Sequence, residues 1–278
     1  MSVVPGSTFE PFFLPAERGE RFCLFHPAVG VPRGGIVYVH PFAEEMNKSR
    51  RMAALQSREF SKQGYAVLQI DLFGCGDSSG DFGDASWETW RQDVALAVQW
   101  LSQRVEGSVT LWGLRLGALL ALDAAHLCNP QPSAFLLWQP VLSGEALLTQ
   151  FLRLRITSEM LSEGGAKTGV KELRAQLASG ESLEIAGYRL SPQLTAAMDG
   201  LKLADKVFPG KAVQWLEVVS EPGRELPPAA QRVVESWRRD GVNVTVQCVP
   251  GQAFWNTVET TECPALIVTS TKTLAMAA

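Results

Sequence analysis

Histidine is scarce in this chain, which has three in 278 residues: His26, His40 and His126. The five cysteines are scattered and form no C-x-x-C pair. Neither a disulfide framework nor a zinc site fits this pattern, and we expect no metal and no cofactor. Runs of like charge are also absent, and the net charge is −4. That balance argues against nucleic acid or an anionic membrane surface as the main partner.

The N-terminal segment lacks the features of a targeting sequence. It has no basic stretch, and Pro5, Pro11 and Pro15 interrupt it. We therefore expect neither a signal peptide nor a membrane span, and a cytoplasmic protein. Hydrophobic residues make up 46% of the chain and charged residues 19%. This composition is typical of a folded protein with a large core, built as one domain with an insertion or as two small domains.

Short β-branched runs alternate with longer helical patterns along most of the chain. Two N-terminal runs at 8–14 and 21–26 flank a turn and predict a hairpin on a sheet edge. Six further strands are predicted at 35–39, 66–70, 109–112, 134–138, 211–219 and 242–249. Helices are predicted at 49–63, 86–103, 116–127 and 228–240. The alternation indicates a mostly parallel eight-stranded sheet with helices on both faces.

One segment interrupts this alternation. Residues 145–203 contain no strand-like run and show only helical patterning, at 145–163, 170–178 and 191–203. We interpret residues 145–205 as a helical cap inserted into a core formed by residues 1–144 and 206–278. The alternative is one extra βα unit with an unusually long linker.

The sequence GLRLG at 113–117 lies directly between a predicted strand and a helix rich in Ala and Leu. Strand, G-x-x-x-G and helix in this order are typical of the nucleophile elbow of α/β hydrolases. The central position should carry serine, but here it is Arg115. A guanidinium has no nucleophilic oxygen and does not lose its proton at accessible pH.

The loop after the first parallel strand is the second candidate element. It begins His40-Pro41-Phe42 and continues through Glu44 and Glu45. In this fold such a loop completes the oxyanion hole, and because proline has no N–H the backbone donor would be Phe42 or the next residue. His40 is either a site residue or simply a hydrogen-bond partner of the loop backbone.

A third loop, DLFGCGDSSG at 71–80, follows the next strand and is typical of a tight structural turn. It contains Cys75, which could replace the missing nucleophile, although nothing in the motif would activate a thiol there. In chain order the acid position falls on Glu221 and the base position on Gln252. No histidine occurs after His126, so a Ser-His-acid mechanism is excluded and at most weak or non-serine hydrolysis is expected.

Several of these strings together resemble one known family. HPFAEEMNKSRRM, DLFGCGDSSGDF, GLRLGA, LEIAGYRLSP and a late FW are similar over essentially the full length to the exosortase A system-associated hydrolase 2 group. The resemblance implies an α/β-hydrolase fold, arginine at the elbow as a property of the group, and a bacterial setting beside genes for protein sorting and exopolysaccharide export. It also implies a protein partner from that system.

An arginine at the elbow has electrostatic consequences. A guanidinium at the first turn of a helix and out of water requires a carboxylate partner, and we expect Glu45 or Glu44 rather than Glu221. In one interpretation Arg115, the amides of Leu116 and Phe42, and Trp255 form a pocket for an anionic or acyl ligand. The alternatives are an Arg–Glu pair that plugs the site of an interaction module, hydrolysis by Cys75 or water, and a solvated arginine without a role.

Overall fold

The structure is a computed structural model that describes residues 9–161 and 169–277. Its strands, in chain order, are β1 (Glu10–Pro15), β2 (Glu20–His26), β3 (Gly34–Val39), β4 (Tyr65–Ile70), β5 (Val109–Leu114), β6 (Ala134–Trp138), β7 (Leu183–Ile185), β8 (Tyr188–Leu190), β9 (Ala212–Val219) and β10 (Asn243–Pro250). Eight of them form one sheet in the order β1-β2-β4-β3-β5-β6-β9-β10. The predicted N-terminal hairpin forms its antiparallel edge, and the strands from β4 to β10 in that order run parallel.

Helices cover both faces of the sheet. They are α1 (Glu44–Lys62), α2 (Trp87–Ser102), α3 (Leu116–Ala124), α4 (Gly144–Leu161), α5 (Val170–Ala178), α6 (Pro192–Asp199), α7 (Pro228–Arg239) and α8 (Pro264–Ala277). Helices α2, α3 and α7 pack on one face and α1 and α8 on the other, around two separate apolar clusters. β3 and β5 are buried along their whole length, as parallel strands covered on both faces must be. The predicted fold class is confirmed.

The segment between β6 and β9 is largely helical but not wholly so. Helices α4, α5 and α6 correspond to the three predicted helices, although positions 162–163 of the first fall outside the described residues. The prediction that this segment has no strand is wrong, because β7 and β8 form a small hairpin. Its turn, Ala186-Gly187, has positive φ at both residues, 50° and 83°, as a type I′ hairpin turn requires.

One helix boundary and one additional helix also differ from the sequence expectation. Helix α1 begins at Glu44 rather than at 49, so that Glu44 and Glu45 form its first turn, where the helix dipole favours carboxylates. Helix α8 was not predicted, because its β-branched sequence has low helix propensity. Packing against α1 and β10 overrides that propensity. Among the described residues, no helix is both long and apolar enough to span a bilayer.

Candidate functional site

The turn between β5 and α3 has the geometry of a nucleophile elbow. Arg115 occupies it with φ 56° and ψ −119°, a conformation that costs a residue with a side chain about 1–3 kcal/mol. The flanking glycines are required by space: a Cβ on Gly117 would lie 2.2 Å from the carbonyl oxygen of Val39, and one on Gly113 would lie 2.4 Å from Cα of Ala118. The G-x-x-x-G motif therefore fixes the elbow and leaves its central side chain at the edge of the sheet.

The guanidinium of Arg115 is only partly used by the protein. Its Nε donates a hydrogen bond to Oε1 of Glu45 at 3.2 Å, and the two side chains are 17% and 12% exposed. Its central carbon lies 5.7 Å from the ring centroid of Trp255, within range of a cation–π contact. Within 9–161 and 169–277, the two terminal nitrogens have no protein hydrogen-bond partner. Glu45 is one of the two partners expected from the sequence, and the arginine is not simply solvated.

The first turn of α1 supplies two unusual carboxylates. Burial raises the pKa of Glu45 to about 7, although the neighbouring Arg115 acts in the opposite direction. Burial likewise raises the pKa of Glu44 above its usual range. Each carboxylate has a buried Oε2 that lacks a hydrogen-bond partner within the part of the chain that the structure describes. Both groups therefore have unused hydrogen-bonding capacity beside the arginine.

A cavity of about 320 Å³ lies over this cluster, between the elbow and α4. One part of its wall is charged and the other apolar. It is lined by Phe42, Glu44, Glu45, Arg115, Leu147, Gln150, Phe151, Arg153, Leu154, Trp255 and Asn256. Five of the seven residues predicted to bind a ligand thus meet here. The sequence did not identify the contribution of α4, because helical periodicity does not show which neighbour a helix face contacts.

The other two predicted ligand residues, His40 and Leu116, do not line this cavity. They border a separate void of about 10 Å³, which also contacts Phe42 and Cys75 and holds at most one water molecule. A role for these two residues in ligand binding stays a prediction, since the residues that line the larger cavity do not include them.

His40 is instead bound to loop backbone on both sides of its ring. Its Nδ1 lies 2.7 Å from the carbonyl oxygen of Pro41, and Nε2 accepts the N–H of Leu72 at 3.2 Å. A carbonyl can only accept, so the ring is neutral with its proton on Nδ1. Burial, the largest effect, also lowers the pKa of His40. This is the structural role that the sequence left open as an alternative.

The positions assigned to the acid and the base are not part of the site. Glu221 and Gln252 are exposed, in the turns after β9 and β10, and neither lines the cavity. Both side chains are exposed to solvent. The chain order of a triad specifies which turn to inspect, and it cannot specify the direction of a side chain.

A buried carboxylate that the sequence analysis missed lies within β9, four residues before Glu221. Glu217 in β9 accepts hydrogen bonds from Nε1 of Trp215 at 2.8 Å and Nε2 of Gln139 at 2.9 Å. Burial raises its pKa, while these two donors and Arg115 lower it. The signal was present in the sequence, because a glutamate within the apolar strand AVQWLEVV must be buried and paired.

The loop containing Cys75 is structural. The carboxylate of Asp71 accepts two hydrogen bonds from Arg50, at 3.2 and 2.9 Å. Its backbone carbonyl accepts a hydrogen bond from Oγ of Ser78. Burial raises the pKa of the Cys75 thiol far above neutrality, and the nearby Asp71 adds to this effect. The thiolate required of a nucleophile is therefore disfavoured.

Comparisons with known proteins agree with this architecture. A family model described as serine aminopeptidase S33 matches residues 30–199. The palmitoyl-protein thioesterase ABHD10 of Bos taurus is 31% identical over 126 residues, which are 45% of this chain and 39% of that protein. The rat protein of the same name is 35% identical over 92 residues, 33% of this chain and 29% of its own length. The chain thus spans well under half the length of these relatives.

Solved structures share the fold over nearly the whole chain. Est1E of Butyrivibrio proteoclasticus, solved with ferulic acid, has a TM-score of 0.66 at 16% identity and covers 95% of this chain and 98% of its own. Mouse ABHD10 has a TM-score of 0.62 at 18% identity and covers 97% of this chain and all of its own. The family match extends over more than half of the sequence, so this chain belongs to the serine aminopeptidase S33 family within the α/β-hydrolase superfamily.

Proposed function

We propose that this protein binds a small anionic ligand with an apolar body, and that it does so without serine-hydrolase chemistry. The observation that carries the proposal is the unused part of the Arg115 guanidinium. Two of its nitrogens have no protein hydrogen-bond partner in the described part of the chain, and the side chain lines a cavity of about 320 Å³. A planar group with free N–H donors is suited to a carboxylate or phosphate.

The absence of a triad follows from the residues available. The elbow carries Arg115, and all three histidines have other positions. His26 lies in β2 with its pKa lowered by burial to about 4, His126 stacks on Phe208 at 4.7 Å, and His40 binds loop backbone. Without a nucleophile and a base, weak hydrolysis by water is the most that we expect.

A plugged interaction module is the second candidate, and the Arg115–Glu45 contact favours it. That contact uses one guanidinium nitrogen and leaves the cavity open. A plug would be expected to fill this space and to satisfy both carboxylates, whereas Glu44 and Glu45 each retain an oxygen without a partner among the described residues. Ligand binding therefore accounts for more of the geometry. Hydrolysis through Cys75 has less support, because its thiol is buried and its pKa is raised.

The biological setting is also proposed. We propose that residues 145–205 act as a cap over the cavity, because α4 supplies Leu147, Phe151 and Leu154 to its wall. The motifs shared with exosortase-associated hydrolases suggest a cytoplasmic bacterial protein that works beside protein sorting and exopolysaccharide export, with a protein partner from that system. Acyl ligands merit testing because related proteins are named palmitoyl-protein thioesterases and Est1E holds ferulic acid.

Thermal unfolding in the presence of phosphate, octanoate, ferulate or acyl-CoA tests the proposal. A ligand at 100 times its Kd should stabilise the protein by about 2.7 kcal/mol. Arg115→Gln should abolish the effect, because it removes the cation while keeping a side chain at the same backbone angles. Arg239→Gln, on the exposed surface of α7, is the matched control and should retain it.

Two results would overturn the proposal. One is stoichiometric labelling by a fluorophosphonate probe, which would reveal a working serine nucleophile. The other is the absence of stabilisation by every ligand combined with a destabilised Arg115→Gln variant, which would support the plug.

A further inference from the structure

The carboxylate of Glu45 differs from an ordinary arginine partner. Its Oε1 accepts a hydrogen bond from Nε of Arg115, whereas its Oε2 is buried and has no hydrogen-bond donor among residues 9–161 and 169–277. From this geometry we infer that the ligand is a monoanionic carboxylic acid with an apolar body, and that Glu45 binds it by donating a proton from Oε2. This inference rests on the proposed function and specifies the ligand class of that same site.

The inference begins from hydrogen bonding. An ionised carboxylate is only an acceptor, so Oε2 of Glu45 has nothing to offer an incoming anion. A proton on Oε2 converts that atom into a donor, while Oε1 still accepts from Arg115. A ligand carboxylate beside both groups would then receive one hydrogen bond from Glu45 and others from the free nitrogens of Arg115. The pKa of Glu45, raised by burial to about 7, is compatible with a proton there near neutrality.

Charge balance in the cavity favours a single negative charge on the ligand. The wall carries two cations, Arg115 on the elbow and Arg153 on α4, and two acids, Glu44 and Glu45 on α1. With Glu45 protonated, one ligand carboxylate brings the wall and the ligand to neutrality. A phosphate dianion would leave an excess negative charge in a partly buried site.

Two charged groups behind the wall act on the cluster with opposite signs. Lys48 on α1 acts on Glu44 and Glu45, and Glu217 on β9 interacts with Arg115, so their opposite charges offset each other. The remaining segment at the cavity supplies Trp255 and Asn256, which are uncharged. Protonation of Glu45 therefore removes the negative charge that would otherwise repel a ligand carboxylate.

The apolar part of the wall indicates the rest of the ligand. Phe42, Leu147, Phe151, Leu154 and Trp255 line the same cavity of about 320 Å³ as the charged cluster. This volume is at the small end of ligand pockets, which suits a medium aliphatic chain or one aromatic ring. When Glu45 is ionised in the free protein, binding takes up one proton from solution. The complex then contains a neutral Glu45, the ligand carboxylate and the Arg115 guanidinium.

The experiment measures Kd for octanoate by calorimetry between pH 6 and 8.5, where the ligand itself stays ionised. Wild-type affinity should fall about tenfold for each pH unit above 7, because Glu45 must be protonated for binding. Calorimetry in buffers of different ionisation enthalpy should show uptake of up to one proton. Octyl phosphate and octanol, a largely dianionic and a neutral ligand of matched chain length, should bind at least tenfold more weakly.

Substitutions on α1 separate the role of Glu45 from its surroundings. Glu45→Gln places an amide donor where the protonated acid would be, so it should bind octanoate with the same Kd at every pH. The matched control Glu59→Gln, on the same helix but outside the lining of the cavity, should keep the pH dependence. Octanoate binding that requires Arg115 but does not vary with pH would overturn the inference and leave the proposed function standing. If octanoate, octyl phosphate and the other anions all fail to bind at any pH, both fail.

Discussion

The stability of the protein without ligand should also depend on Glu45. In the folded protein its carboxyl keeps the proton up to about pH 7, whereas in an unfolded chain it loses the proton near pH 4.5. Folding therefore becomes less favourable as the pH rises from 4.5 to 7, and the lost stability returns as the pH falls. At about 1.4 kcal/mol per pH unit, this pKa difference corresponds to roughly 3 kcal/mol.

The perturbation is Glu45→Gln, which cannot titrate. The difference in free energy of unfolding between variant and wild type should move in favour of the variant by roughly 3 kcal/mol between pH 4.5 and 8. Urea denaturation at four pH values in this range measures it. Comparing the two proteins removes the contributions of His26 and His40, whose lowered pKa values make stability fall below pH 6.5.

Glu59→Gln, on the same helix but with a side chain that is 38% exposed and paired with Lys62, controls for the loss of one carboxyl group. The reasoning is refuted if wild type and Glu45→Gln have parallel pH profiles. In that case the desolvation of this carboxylate would be fully offset by Arg115, and the folded protein would hold no extra proton at the site.

Two further stability predictions follow from close packing and burial. Gly117→Ala should cost at least about 1–3 kcal/mol in chemical denaturation, because its Cβ would meet a carbonyl oxygen of β3, whereas Gly200→Ala, with open space around it, should change stability little. Asp93→Asn should cost about 3–5 kcal/mol, because it leaves the buried Arg21, bound through Nε at 2.7 Å, without its anion. Burial raises the pKa of Asp93 to about 6, so the desolvation of this carboxylate opposes folding. The stability lost with the ion pair in Asp93→Asn is expected to exceed the desolvation cost that the substitution removes. Glu59→Gln, which removes an exposed ion pair, should cost less than about 1 kcal/mol, and equal losses for Asp93→Asn and Glu59→Gln would contradict the argument.

The central sheet and the elbow were predictable for a local reason. A parallel strand covered on both faces must be apolar along its whole length, so β3 and β5 are visible as uninterrupted runs. The elbow needs glycines at two fixed positions, so its motif specifies the turn without any long-range information. The expected carboxylate partner of Arg115 could be inferred as well, because a partly buried guanidinium requires one.

The remaining features depend on distant parts of the chain. Helix α8 has a sequence that prefers strand, and only its packing makes it helical. The void beside His40 and Leu116 is small because side chains from several elements converge there, which no local pattern encodes. Glu221 and Gln252 follow the expected strands, but the direction of a side chain in an irregular turn is set by the final backbone.

The positive φ of Arg115 has a consequence for how readily this protein could be given new chemistry. Its conformational penalty arises from the Cβ atom, and every amino acid except glycine carries that atom. Exchanging the arginine for another residue with a side chain would therefore leave the backbone strain of the turn nearly unchanged. A substitution at position 115 would thus exchange the functional group that lines the cavity. The fold around the turn would stay the same.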